Sequence, residues 1–89
     1  MDPKLSEVIA YLTSEFPGYA ITWADNGEFF IVQVASSGRL HNLHVQRAFL
    51  ESTLAEDVRA NLVGFRLAPT LRDLGNLPIM VTLSGCIYP

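Results

Sequence analysis

His41 and His44 come nearest to a chemical site in this sequence of 89 residues. Two imidazoles three positions apart could hold one metal ion from the face of a helix, but on a strand they project from opposite faces. Residues 40–45 show no helix-start signal and read as a strand. The spacing therefore predicts no metal site. We expect His41 at the margin of a core and His44 on the outer surface of a sheet.

His44 is also the best candidate for acid–base chemistry, with Asn42, Gln33 and Thr22 as its predicted neighbours. A catalytic histidine needs an orienting carboxylate or a nucleophile within hydrogen-bond reach, and the sequence predicts neither beside it. A small enzyme or ligand-binding protein with a pocket near His44 is therefore one alternative function, and it is not the favoured one.

The remaining polar motifs predict turns and surface groups. Asn26-Gly27 and Ser37-Gly38 each suit the centre of a two-residue hairpin loop, since Asn, Ser and Gly accept turn geometry. Neither belongs to a nucleophile elbow or a phosphate-binding loop. Cys86 is the only cysteine and has no cation close by in sequence, which predicts a free, unactivated thiol. No catalytic set and no cofactor are predicted.

The elements that position these residues begin with a helix over residues 3–16. Asp2 is its expected cap, Pro3 occupies its first position, and Pro17-Gly18 ends it. Two hairpins follow, over residues 19–24, 28–35 and 39–45. A loop at Asn26-Gly27 would place Trp23 opposite Phe30, whereas a loop at Ser37-Gly38 would place Phe30 opposite Val45.

Both turns sort the strands into the same two faces, because side chains alternate with a period of two. The face predicted to be core carries Tyr19, Ile21, Trp23, Phe30, Val32, Val34, His41, Leu43 and Val45. The opposite face carries Ala20, Thr22, Ala24, Phe29, Ile31, Gln33, Ala35, Leu40, Asn42 and His44.

Helical spacing returns over residues 47–62, with a capping box at Thr53 and Glu56 that would let the helix restart. Gly64 ends it, a short helix is expected over 70–74, and a last strand over 77–83 precedes a frayed tail. The prediction is a single α+β domain over residues 1–89. It has an antiparallel sheet of three or four strands and two main helices on one face, in the order α-β-β-β-α-(short α)-β.

The favoured function is a non-catalytic interaction module that forms a homodimer through the outer face of the sheet or binds another protein. The chain is 49% apolar and only 17% charged, which is more apolar surface than so small a domain can bury alone. The residues expected at the partner surface are Thr22, Phe29, Ile31, Gln33, Leu40, Asn42 and His44.

Nucleic-acid binding is the other alternative, and it would use the five arginines of the chain. They are Arg39, Arg47, Arg59, Arg66 and Arg72. The order helix, three-stranded meander, helix over residues 3–63 resembles that of double-stranded-RNA-binding domains, whose second helix needs a basic start to hold phosphates. This sequence offers Arg47 alone there, and its net charge is −3. No signal peptide or membrane span is predicted, so the expected location is the cytoplasm.

Overall fold

The computed structural model describes residues 2–87, which form four helices and five strands around one hydrophobic core. In chain order these are α1 (Pro3–Glu15), β1 (Ala20–Asp25), β2 (Phe29–Ser36), β3 (Arg39–Gln46), α2 (Arg47–Ser52), α3 (Ala55–Gly64), α4 (Leu67–Leu74), β4 (Ile79–Thr82) and β5 (Gly85–Ile87). The α+β class and the helix–meander start are as the sequence predicts.

The first helix forms for the reasons visible in its sequence. The Asp2 carboxylate accepts a hydrogen bond from the Lys4 backbone N–H at 2.7 Å, which satisfies one of the free donors at the helix start. Leu5, Val8 and Leu12 recur at helical spacing and are fully buried. The helix ends at Glu15, just before the predicted stop.

The sheet differs from the prediction of a purely antiparallel sheet of three or four strands. Its five strands lie in the order β1-β2-β3-β4-β5, and the β3–β4 pair is parallel. The pair is parallel because α2, α3 and α4 carry the chain back across the sheet between these two strands. Strand β5 then returns antiparallel beside β4, in the segment that was expected to be a frayed tail.

The two hairpins test the predicted register. In the second, Val34 lies opposite His41 and Phe30 opposite Val45, which confirms the Ser37-Gly38 loop. In the first, Trp23 lies opposite Val32 instead of Phe30, a shift of two residues.

The physical reason for that shift lies at the tip of the first hairpin. Gly27 takes the first loop position with a φ of +82°, so the two-residue loop is Gly27-Glu28. Asn26 then closes the turn by donating its N–H to the Phe29 carbonyl at 2.9 Å. A shift of two preserves the side-chain alternation, and therefore the assignment of residues to faces survives.

The predicted helix over 47–62 is two helices, broken at Thr53-Leu54. The capping box was wrong: the residue before α3 is Leu54, and no side chain caps the helix start. The short helix expected over 70–74 is longer, since α4 begins at Leu67. Gly64 ends α3 as predicted, and Gly75 is the C-terminal cap of α4.

All four helices contribute buried side chains to the core on one face of the sheet. Leu43 and Val45 of β3 lie at its centre and are fully buried. His41 is also buried, and its Nδ1–H donates to the Gly75 carbonyl at 2.8 Å, which joins β3 to the end of α4. No described helix has the length and apolar character needed to cross a bilayer.

Trp23 does not belong to the buried core, although the sequence predicted that it would. Its side chain is 41% exposed, and Ile21 and Tyr19 on the same face are only partly buried. The indole contacts Phe30 edge-on, with ring centroids 6.1 Å apart. The helices cover β2, β3 and β4 more fully than β1, so the core thins towards this edge of the sheet.

Candidate functional site

The outer sheet face is the side of the sheet that carries no helix. The alternation of the strands places on it Ala20, Thr22, Ala24, Phe29, Ile31, Gln33, Ala35, Leu40, Asn42, His44, Gln46, Met80 and Ile87. Every one of these residues is exposed or partly exposed, whereas Thr82 and Gly85, which the same alternation places on this side at the β4–β5 turn, are buried. The seven residues predicted for the partner surface are among them, and the structure places all seven on this one face.

An apolar row crosses the outer sheet face from one edge of the sheet to the other. The cross-strand pairs align Ala24, Ile31, His44, Met80 and Ile87 in successive strands. Neighbouring strands lie about 4.8 Å apart, so consecutive members of this row are cross-strand neighbours and line up as one stripe. Ile87 is 55% exposed although it is aliphatic, which leaves the β5 end of the stripe open to water.

A polar row runs beside this stripe. Thr22, Gln33 and Asn42 align across β1, β2 and β3, and the Gln33 amide Nε2 donates to Asn42 Oδ1 at 3.2 Å. The next row is again apolar and ends at Leu40, which is 37% exposed. The face therefore alternates apolar and polar bands, and its polar groups are partly paired with each other.

No Asp, Glu, Lys or Arg side chain lies on the outer sheet face within the described strands. The chain has six basic and nine acidic residues, yet all of those on the strands are at strand ends or on the other face. Charged residues are depleted at the centres of protein interfaces and are common on surfaces that contact only water. An uncharged face of this extent is therefore unusual for a surface that meets only water.

His44 lies in the apolar stripe and makes an aromatic contact. Its ring stacks on Phe29 with centroids 5.0 Å apart and planes 10° from parallel. Its cross-strand neighbours are Ile31 and Met80, and no carboxylate lies beside it among the described residues of the face. One depression on this face, of about 200 Å³, lies next to β1 and is not lined by His44. The arrangement supplies contact area and no acid–base partner.

The two histidines lie on opposite faces, as the strand spacing predicts. His41 is buried among Phe16 and Tyr19, whereas His44 faces outward. Within residues 2–87 there is no cluster of three or more side chains suited to hold a metal ion. Cys86 lies in β5 against the core, where burial raises the pKa of its thiol, so it is less reactive than a free cysteine at neutral pH.

Three of the arginines predicted for nucleic-acid binding surround the carboxyl-terminal half of α1. Arg59 donates to Ser14 Oγ at 3.0 Å, and Arg66 lines a depression beside Tyr11. Arg72 donates to the Glu15 carbonyl at 2.5 Å and lies over the ring of Phe16 at 4.8 Å. The contacts of Arg59 and Arg72 fasten α1 to α3 and α4.

The other two arginines lie at opposite ends of β3. Arg39 is exposed at its start, and Arg47 directly follows its end. Arg47 donates to the Asp25 carboxylate and to the Gly27 carbonyl, each at 2.6 Å, and lies 4.6 Å from the centre of the Phe30 ring. Arg47 thus holds the tip of the first hairpin, and its guanidinium is already engaged. Its ion pair is with Asp25 and not with Glu51, one helical turn along α2.

Sequence reasoning missed part of the outer sheet face. Gln46 was not assigned to it, and Met80 and Ile87 could not be, because their place depends on where β4 and β5 join the sheet. The segment around Met80 reads as a strand, but a lone strand gives no sign of its neighbour or its direction.

Comparison with protein-family models, with curated proteins and with solved structures finds no match to this chain.

Proposed function

We propose that this protein is a non-catalytic interaction module that forms a homodimer by packing its outer sheet face against that of a second copy. The observation that carries the proposal is an uncovered sheet face, crossed by an apolar stripe, with no charged side chain on it. Sheets with helices on one side ordinarily present a polar face to water, and this one is polar only in part, because apolar rows alternate with its polar row.

The absence of charge favours a second copy as the occupant. In a two-fold contact the same patch lies on both subunits, so any charged group near the axis would meet its own copy. A face without charged groups has no such repulsion, whatever the angle between the two copies. Polar groups that are left over, such as Thr22 and His44, can find partners in the facing copy.

The size of the face is compatible with a specific contact. Its strands have six, eight, eight, four and three residues. At about 3.3 Å of length and 4.8 Å of width per residue, they give a flat footprint of roughly 460 Å² per chain. Two copies would thus bury about 900 Å² of flat area, and the uneven surface of the side chains adds to it. This area is close to the ~1,000 Å² that a specific interface should exceed.

The test is Ile31→Glu, in the middle of the apolar stripe. Because Ile31 is partly exposed, we expect the chain to remain folded, as measured by circular dichroism. Two carboxylates facing each other across a dry contact cost several kcal/mol, so the association constant should fall by about 100-fold or more. Sedimentation velocity should show the weight-average mass falling by up to half at the same protein concentration.

Leu54→Glu is the matched control. Leu54 is also an exposed aliphatic residue, at 62%, but it precedes α3 and lies away from the outer sheet face. This variant should sediment like the native chain. An Ile31→Glu protein that is folded and sediments like the control would rule out the face contact.

The nucleic-acid alternative has a separate test. Titration of the native chain with duplex and single-stranded nucleic acid at low salt should show no binding, because arginine contacts with phosphate are strongest there. Binding that weakens steeply with added salt would favour that alternative over the interaction module.

A further inference from the structure

Strand β1 forms an edge of the sheet, and its outer side is open. Its one neighbour is β2, and every residue from Ala20 to Asp25 is exposed or partly exposed. An edge strand presents a row of N–H and C=O groups that can pair with another chain. This edge is therefore a second surface of the molecule, distinct from the outer sheet face.

The turn at the tip of the hairpin determines which groups face outward. The hydrogen bond from Asn26 N–H to the Phe29 carbonyl marks a hydrogen-bonded pair. Such pairs alternate along an antiparallel ladder, so Ala24 and every second residue before it direct their backbone groups towards β2. Ile21 and Trp23 therefore direct their N–H and C=O groups to the open side.

Nothing in β1 protects this edge. Natural edge strands are blunted by lysine, proline or a bulge, but residues 20–24 are uncharged, lack proline and pair with β2 in unbroken register. The apolar surface of the core also continues outward here, because Trp23 is 41% exposed and Ile21 is only partly buried. The edge combines free hydrogen-bonding groups with an uncovered aromatic side chain.

We infer that β1 pairs antiparallel with β1 of a second copy of this chain, with Thr22 opposite Thr22 at a two-fold axis. An edge of this kind selects an extended, uncharged segment of alternating side chains, and β1 is itself such a segment. Centring the axis on Thr22 gives the longest overlap of residues 20–24. It pairs Ile21 of each copy with Trp23 of the other, and it leaves Asp25 outside the overlap.

This pairing is compatible with the proposed function but does not rest on it. The two sheets would join into one of ten strands, with both outer sheet faces on the same side and still accessible. The four side chains at Ile21 and Trp23 would cover each other where the helices do not reach. The edge contact is made by the backbone of β1 with Ile21 and Trp23, whereas the face contact is centred on Ile31. They share only the outward side chains of β1, so each can fail without the other.

The experiment uses a cysteine at the proposed axis, Thr22→Cys in a Cys86→Ala background. Facing residues of a pair without hydrogen bonds have Cα atoms about 4.5 Å apart, within the ~4.4–6.8 Å that a disulfide spans. Mild oxidation should convert most of this protein into a disulfide-linked dimer. Ala24→Cys in the same background is the matched control. It lies on the same edge and face, but its two copies would be about 13 Å apart.

Thr22 also lies on the outer sheet face, and a second series separates the two contacts. Adding Ile31→Glu to the Thr22→Cys protein should leave the disulfide yield unchanged. A yield that falls to that of Ala24→Cys would show that the disulfide came from the face contact, and it would overturn the edge pairing. Equal yields from Thr22→Cys and Ala24→Cys, or no dimer from either, would also overturn it.

The native chain gives an independent reading. Trp23 is the only tryptophan in the sequence and is exposed at the edge, so its fluorescence reports on the surroundings of this edge. As protein concentration rises, pairing should exclude water from the indole and move its emission to shorter wavelengths. The Ile31→Glu protein should show the same shift. An emission maximum that stays constant while sedimentation shows association would count against the edge.

Discussion

Strands β1 and β3 have the same kind of sequence but different surroundings. Both alternate between two faces, yet Leu43 and Val45 of β3 are fully buried, whereas Trp23 of β1 is 41% exposed. Strand β3 has a neighbour on each side and its inward residues from His41 onward are buried, while β1 has one neighbour and no buried residue. Alternation in a sequence therefore identifies which side chains share a face, and the surrounding elements decide how deeply that face is buried.

The largest expected effect lies in β3. Leu43→Ala should lower the free energy of unfolding by about 2–5 kcal/mol, because it removes a fully buried side chain and leaves a cavity. Urea unfolding followed by circular dichroism measures this loss. A decrease below ~1 kcal/mol would mean that β3 is not the centre of the core.

A smaller loss is expected for Trp23→Ala in β1. The indole is large but partly exposed, so its removal from a dilute monomer should lower the free energy of unfolding by about 1–2 kcal/mol. If β1 pairs between copies, the difference in unfolding free energy should grow with protein concentration, because association stabilises the native chain but not the variant. A decrease in unfolding free energy as large as that of Leu43→Ala, measured at low protein concentration, would show that Trp23 is as deeply packed as the residues of β3.

The smallest effect concerns the ion pair that attaches the end of β1, at Asp25, to Arg47. The Arg47 guanidinium, and next the Gly27 N–H, lower the pKa of the Asp25 carboxyl in the folded chain. The carboxylate therefore adds stability above its ordinary pKa, and that stability disappears as the pH falls through the lower folded value. Asp25→Asn should reduce the melting temperature slightly near neutral pH, and the difference should shrink as the pH falls below about 4.

Glu28→Gln is the control for this pH dependence. It removes a carboxylate from the same turn, and Glu28 takes part in neither ion pair found among the described residues. Its melting temperature should follow the native curve across the same pH range. A pH-independent difference for Asp25→Asn would show that the ion pair with Arg47 contributes nothing to the attachment of β1.

Much of the meander could be predicted from the sequence, because its information is local. The Ser37-Gly38 loop defined its hairpin correctly, and even the misplaced Gly27 loop kept every side chain on the right face. The seven predicted residues of the outer sheet face lie together for the same reason. The position of β4 and the exposure of Trp23 depend on contacts between distant parts of the chain, and no local pattern encodes them. Strand β5 pairs locally with β4 through the turn at Leu83-Ser84, but its three residues are too few to show a strand pattern.

The parallel pairing of β3 with β4 bears on the order in which the chain folds. Contacts within β1, β2 and β3 join residues close in sequence, whereas Leu43 meets Ile79 only after the whole helical crossover has been drawn together. Closing so long a loop costs conformational entropy before the strand contact can form and stabilise the chain. Such strand pairs therefore form slowly. The meander can therefore act as the template, and β4 and β5 would be the last strands to join it.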